Sequence, residues 1–235
     1  MNLYPPKPRG EPPRSAVRGV AETLRETLNS DPVGVTFHFG EQPGPEYARP
    51  QEPVSFCKAV KMVKETHASL MLTRDTLSCP AAGYVLGFRT VDVLDECLSN
   101  LVSSRRFSDR EAAYKALTSV PRVNGNPSSV TLSMIDRSPD VYVLYVKPMQ
   151  LMRVIQAYQR RYAEPLRLEI PGVVPVCGVC AVTPYISNRI TVSLGCDDSR
   201  QHGGIEEDQL VLGVPRSEAD PLAQTLRELK GEQDQ

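Results

Sequence analysis

The sequence predicts a single domain of the α/β or α+β class, in which helices pack on a mixed β-sheet. Strand-like and helix-like segments alternate along the 235 residues without an internal repeat. The run "DVYVLYV" at 140–146 is almost wholly apolar, which is typical of a buried central strand. The residues that follow it, 147–162, begin with Lys-Pro and continue with helical apolar spacing, so a strand leads into a long helix.

The N-terminal residues 1–13 contain five prolines and no apolar periodicity, which predicts a flexible proline-rich tail. The folded domain is therefore expected over residues 14–235. The first helix is predicted near residues 15–30, where helical spacing relates Val17, Val20, Leu24 and Leu28. A strand is predicted over 32–39, before a loop rich in proline and glycine.

The next helix is predicted at 54–68, with an apolar stripe made by Phe56, Ala59, Val60 and Val63. A short strand follows at 69–73.

Two further helix starts have signals of their own. Pro80 suits the first position of a helix, which would put Cys79 at the helix start. Ser108 and Glu111 have capping-box spacing and predict a helix from about Asp109 to Leu117.

The C-terminal half supplies the remaining elements. Strands are predicted at 128–135, at 190–194 and at 209–215. The long helix after the central strand is expected to present a broad apolar face, and a last helix is expected to start at Asp220 and Pro221. That face is made by Met149, Met152, Ile155 and Ala157.

Composition limits the classes of partner. Lys and Arg total 27 against 28 for Asp and Glu, so the net charge of -1 gives no reason to expect nucleic acid or an anionic membrane. No stretch approaches the roughly 18 uninterrupted apolar residues that cross a bilayer, and no secretory signal is evident. We therefore expect a cytoplasmic protein, whose six cysteines are free thiols or metal ligands.

The cysteines carry the strongest functional signal. Cys57 lies near a predicted helix start, where unpaired backbone N–H groups favour a thiolate. Four others have glycine or proline within three residues, an irregular setting in which sulfur ligands converge on a cluster: Cys79, Cys177, Cys180 and Cys196. Cys97 lacks such surroundings and is expected to be an ordinary helix residue outside the group.

The motif "CGVC" at 177–180 has the C-x-x-C spacing, which serves zinc sites, iron–sulfur clusters and dithiol redox pairs alike. The three histidines have no zinc-ligand spacing, so ligation by thiolates alone favours iron–sulfur. Two alternatives remain: a small-ligand or anion-binding domain with no metal or with a structural zinc held by four thiolates, and a dithiol oxidoreductase that uses Cys177 and Cys180.

The segment "CDDSRQHGG" at 196–204 is expected to be a glycine-ended polar loop. Arg200 lies four residues after Cys196, and its planar guanidinium suits a carboxylate or phosphate. It is therefore the candidate contact for a small anionic substrate or ligand.

Six stretches in order resemble the large prokaryotic family known as domain of unknown function 169: "FCKAVKM", "SCPAAGYVLGF", "PDVYVLYVKPMQLMRVIQA", "VCGVCAVTPY", "VSLGCDDSR" and "DQLVLGVP". The resemblance runs from about Pro32 to Pro215. It implies that the family's cysteines correspond to Cys57, Cys79, Cys177 and Cys196. The position of Cys180 is usually a small residue, which favours Cys177 as the ligand.

This chain departs from the family pattern at two places. Lys58 stands where the family often has glutamine, and Ala81 and Ala82 stand where it has two glycines. The resemblance implies no reaction. Taken together, the residues and the resemblance predict an iron–sulfur protein whose [4Fe-4S] cluster serves a redox or Lewis-acid role, with an electron-transfer protein as a possible partner. The four expected ligands are Cys57, Cys79, Cys177 and Cys196.

Overall fold

The structure is a computed structural model. It describes the backbone of residues 14–40, 43–134 and 138–233, and the side chains within these ranges from Gly19 to Glu232. The predicted tail, residues 1–13, and the side chain of Val17 lie outside the described residues. Within them, six strands form one sheet: β1 (Val33–His38), β2 (Leu70–Leu72), β3 (Ser129–Ser133), β4 (Val141–Val146), β5 (Thr191–Ser193) and β6 (Leu210–Pro215).

The strand order across the sheet is β2-β3-β1-β4-β6-β5, and the pairs formed by these strands are antiparallel. The predicted fold class is confirmed, and the antiparallel pairing makes it the α+β form. The apolar strand β4 lies between β1 and β6 and is buried along its whole length, as its composition predicts.

The described helices surround this sheet: α1 (Arg14–Leu28), α2 (Phe56–Thr66), α3 (Pro80–Val85), α4 (Leu94–Ser103), α5 (Arg110–Ser119), α6 (Pro148–Tyr162), α7 (Thr183–Ser187), α8 (Asp197–Gly203) and α9 (Arg216–Gln233). A short 3₁₀ turn (Val91–Val93) precedes α4, and a buried π-helix (Pro175–Val182) precedes α7. The predicted apolar stripe of α2, from Phe56 to Val63, is buried.

The sheet separates two apolar cores. Alternate side chains of β4 point to opposite faces, so Val143 and Tyr145 lie in one core while Tyr142 and Leu144 lie in the other. Helices α1, α6 and α9 cover the smaller core. The larger core contains α2, α3, α4, α5 and the π-helix, and it is the one beside the functional site.

The apolar face predicted for the long helix α6 is wrong in part. The side chains of Met149 and Met152 are 61% and 42% exposed, whereas Val154 and Ala157 are buried. Leu151 and Val154 pack into the smaller core at helical spacing, so the stripe that meets the sheet is displaced from the methionines.

Two predicted helix starts also differ. Asp109, not Ser108, caps α5, because its carboxylate accepts a hydrogen bond from the Ala112 N–H at 2.8 Å. Helix α9 begins at Arg216, directly after β6, and Pro221 lies inside it. The Ser217 hydroxyl at this earlier start contacts the side chain of Asn188 at 3.2 Å.

Candidate functional site

A cavity of about 500 Å³ adjoins the larger core. The first turns of α2, α3 and α8, together with α4 and the π-helix, form its wall. The cysteines that line it are Cys57, Cys79, Cys97, Cys177 and Cys196. Chain segments far apart in sequence therefore bring five cysteines to the wall of one cavity.

Cys57 is the second residue of α2, as its predicted position near a helix start requires. Ser55 caps this helix and accepts a hydrogen bond from the Lys58 N–H at 3.3 Å. The Ser55 hydroxyl also lies 3.2 Å from the Cys57 sulfur. This contact holds the Cys57 thiol at the cavity wall.

Cys79 is the N-cap residue of α3, and Pro80 occupies the first helical position as predicted. The Ala82 N–H points at the Cys79 sulfur, with 3.5 Å between nitrogen and sulfur. A sulfur at this position takes the place of the oxygen that usually caps a helix, so the backbone fixes the direction of the thiol.

Cys177 lies in the π-helix, where irregular glycine-rich backbone was expected. The carbonyl of Val174 accepts hydrogen bonds from the N–H groups of Gly178 and Val179, at 2.8 and 3.0 Å. Val174 itself has a φ of 42°, a strained value for a β-branched residue. π-Helical turns are rare and occur frequently at functional sites.

Cys180 lies in the same π-helix but does not line the cavity. Its thiol donates a hydrogen bond to the Val211 carbonyl in β6, at 3.3 Å. The neighbouring carbonyl of Val179 accepts from the Thr191 hydroxyl at 2.7 Å. Cys180 therefore faces the sheet, and Cys177 is the member of the C-x-x-C pair that reaches the cavity.

Cys196 caps helix α8, so the prediction of a polar loop at 196–204 is wrong. The Cys196 N–H donates to the Ser199 hydroxyl at 2.7 Å, which closes the first turn. Close packing at Gly203 brings this helix against α2, where an added Cβ would meet the Cβ of Cys57 at 3.0 Å. The Tyr145 hydroxyl donates to the Gly203 carbonyl at 3.0 Å and fixes the helix to the sheet.

Burial raises the pKa of the thiols of Cys57, Cys79 and Cys177 above the ordinary value. Negative charge on neighbouring thiols raises these pKa values further. Cys196 acts in this way on Cys57, and Cys79 contributes to the shift at Cys177. These three thiols are therefore protonated near neutral pH in the metal-free protein, and a metal that binds them must displace protons.

Cys97 lies in α4, as expected of an ordinary helix residue, and it also lines the cavity. Its side chain is buried in the larger core. Burial, with smaller contributions from Cys79 and Glu96, raises the pKa of the Cys97 thiol to about 12. No sequence signal indicates that Cys97 lines the cavity, because α4 carries it in an ordinary amphipathic pattern.

The raised pKa of Cys97 should lower the stability of the protein at alkaline pH. Because its folded pKa of about 12 exceeds the ordinary thiol value of about 8.5, its contribution to stability is complete below pH of about 8.5 and falls as the pH rises. Between pH of about 8 and about 10, the free energy of unfolding of the wild-type protein should fall by about 2 kcal/mol more than that of Cys97→Ala. Urea unfolding of both metal-free proteins at the two pH values checks this, and equal losses would contradict it.

The polar part of the cavity wall was not predicted. Arg106 follows α4, and its guanidinium pairs with the carboxylate of Asp198 in α8 at 2.6 Å. His202, one turn further along α8, also lines the cavity. Arg106 and Asp198 are 92 residues apart, and no spacing in the sequence connects them.

Arg200 does not line the cavity, and the structure gives its guanidinium other partners. Its N–H groups donate to the backbone carbonyls of Leu194, Glu206 and Gln209, at 2.6 to 3.1 Å. These bonds connect α8 to the chain on both sides of it. The prediction that Arg200 contacts an anionic substrate is therefore not supported by its position.

Two features are absent from the described residues. In these residues, no group of three or more His, Cys, Asp or Glu side chains is arranged to hold a metal ion. No described helix combines the length and the apolar composition that a membrane-spanning helix needs.

The fold and the site define an α+β domain with helices on both faces of its sheet and a cavity lined by cysteines. The chain belongs to the family DUF169, described as "Uncharacterised ArCR", whose model matches residues 23–225. It is 23% identical over 221 residues to the uncharacterised protein MJ0308 of Methanocaldococcus jannaschii, covering 91% of this chain and 95% of that protein. No solved structure matches it. The family resemblance predicted from the sequence is confirmed.

Proposed function

We propose that this protein binds one [4Fe-4S] cluster through Cys57, Cys79, Cys177 and Cys196. The observation that carries the proposal is the shared cavity, which these residues line from four separate segments of the chain. Cysteine thiolates are the usual ligands of iron–sulfur clusters, and four of them complete a [4Fe-4S] site. A cluster distributes its cysteines over several irons, so the four sulfurs need not meet at one ion.

With all four cysteines bound, the cluster would supply one-electron transfer. Lewis-acid chemistry would require one of the four cysteines to leave its iron, so that a ligand could bind there. The residues around it would exclude water on the side of the larger core and admit a ligand on the side of Arg106 and His202. Free thiols and a redox cluster suit the cytoplasm, with an electron-transfer protein as partner.

A binding domain that contains zinc or no metal is the second candidate. The ion pair of Arg106 and Asp198 favours it, because a cavity with a cation at its edge can bind an anion without any metal. The dithiol alternative is weaker. The Cys180 thiol is directed to the Val211 carbonyl in β6, away from the cavity that Cys177 lines.

The iron, sulfide and zinc contents of the purified protein test the proposal. Protein prepared without oxygen, or reconstituted with iron and sulfide, should be coloured and should contain about four iron and about four sulfide per chain. Zinc is measured on the same samples. Colourless, iron-free protein after reconstitution would contradict the cluster, and one zinc per chain would favour the second candidate.

A further inference from the structure

The cavity has an apolar wall and one polar edge, which is the usual form of a small-ligand site. Phe56, Leu101, Leu117, Val173 and Val176 contribute to the apolar wall. The polar edge is formed by residues after α4 and on α8, and Arg106 is the only lysine or arginine that lines the cavity in the described part of the chain.

Most of the hydrogen-bonding capacity of Arg106 is unused. Its side chain is 23% exposed, and one terminal nitrogen contacts the Asp198 carboxylate at 2.6 Å. Within the described residues, its guanidinium makes no other hydrogen bond. A guanidinium has five N–H donors in a planar fork that matches a carboxylate. A partly buried guanidinium with one protein partner is therefore able to receive a second group.

Asp198 occupies this fork from the solvent side. Its side chain is 63% exposed, so it can leave Arg106 without exposing buried apolar surface. Exposed ion pairs contribute little to stability, and the release of Asp198 therefore costs little. The Asp198 carboxylate shows which chemical group the Arg106 guanidinium accepts, and it marks the position that the carboxylate of a ligand would take.

We propose that the cavity binds a small carboxylic acid, whose carboxylate replaces Asp198 on Arg106 and whose apolar body lies against Phe56 and Leu101. One arginine balances the single charge of a carboxylate. A phosphate dianion would leave uncompensated charge beside Asp198, so the surroundings favour the carboxylate.

This inference deepens the proposed function, because it names a ligand class for the same cavity and rests on that function for the nearby cluster. The carboxylate site itself requires no metal. The binding measurement is therefore made on protein whose iron and sulfide contents are determined in the same samples, so that either proposal can fail alone.

Calorimetric titration with hexanoate tests the site, with hexanamide as the uncharged ligand of the same shape. Hexanoate should bind at least about ten-fold more tightly than hexanamide. Arg106→Met should weaken hexanoate binding about ten-fold or more and leave hexanamide binding unchanged. Asp198→Asn should strengthen hexanoate binding several-fold, because the competing carboxylate is gone.

The opposite effects of the two variants separate a ligand site from a structural ion pair, since damage to the fold would weaken binding in both. Thermal unfolding verifies that each variant is folded. Absence of hexanoate binding at millimolar concentration, equal binding of hexanamide, or preferential binding of inorganic phosphate would each overturn the proposal. Hexanoate binding by protein that stays iron-free after reconstitution would uphold this site and contradict the cluster. Iron-loaded protein that does not bind hexanoate would contradict this site and uphold the cluster.

Discussion

Cys177→Ser should lower the iron and sulfide content of reconstituted protein at least about ten-fold. Removal of a residue that only supports a metal ligand already costs about 10- to 100-fold in metal affinity, so removal of a ligand should cost at least as much. The same loss is expected for Cys57→Ser, Cys79→Ser and Cys196→Ser. Iron and sulfide are assayed after anaerobic reconstitution of each variant.

Cys180→Ser is the matched control for Cys177→Ser. It makes the same replacement of sulfur by oxygen, three residues further along the chain. A serine hydroxyl there can donate to the Val211 carbonyl as the thiol does. This variant should keep its iron and its visible absorption. If Cys180→Ser loses as much iron as Cys177→Ser, the assignment of Cys177 as the ligand is wrong.

Gly213→Ala should destabilise the protein by about 3 kcal/mol or more. Gly213 lies in β6 beneath the π-helix, and an added Cβ would overlap the Cys180 carbonyl oxygen. It would also lie 2.7 Å from the Thr191 hydroxyl and 2.8 Å from the Cys180 Cα. These neighbours are backbone or buried side chain, so the π-helix must move off the sheet, and Cys177 moves with it. Urea unfolding at neutral pH measures the loss.

Gly231→Ala is the matched control for Gly213→Ala. Gly231 lies in α9, and a Cβ there would meet nothing within 4 Å. Alanine at an open helical position should be neutral or stabilising by up to about 1 kcal/mol. A change in stability of less than about 0.5 kcal/mol in Gly213→Ala would show that the π-helix does not depend on close contact with β6.

The elements with a clear period were predictable from the sequence. The stripe from Phe56 to Val63 specified α2, and the continuous apolar run of β4 specified a central strand with both faces buried. In α6, by contrast, apolar residues surround much of the helix. Periodicity alone could not decide between the methionines and the stripe of Leu151 and Val154, because packing against α9 and the sheet makes that choice.

The π-helix could not be predicted, because every residue from Pro175 to Val182 is buried and a segment without an exposed face has no amphipathic period. The composition of the cavity was equally hidden. The helix starts at Cys57 and Cys79 were local signals, whereas the presence of Cys97 and the pairing of Arg106 with Asp198 arise from tertiary packing across distant segments.

Crystallography at the iron absorption edge tests the central claim most directly. Crystals of the anaerobically reconstituted protein should give one compact anomalous peak in the cavity, bounded by the sulfurs of Cys57, Cys79, Cys177 and Cys196. Cys97 should lie at the cavity wall without a bond to iron. The Cys180 thiol should keep its hydrogen bond to the Val211 carbonyl. An iron peak elsewhere, a peak at the zinc edge alone, or a cavity without anomalous density would contradict the proposed cluster.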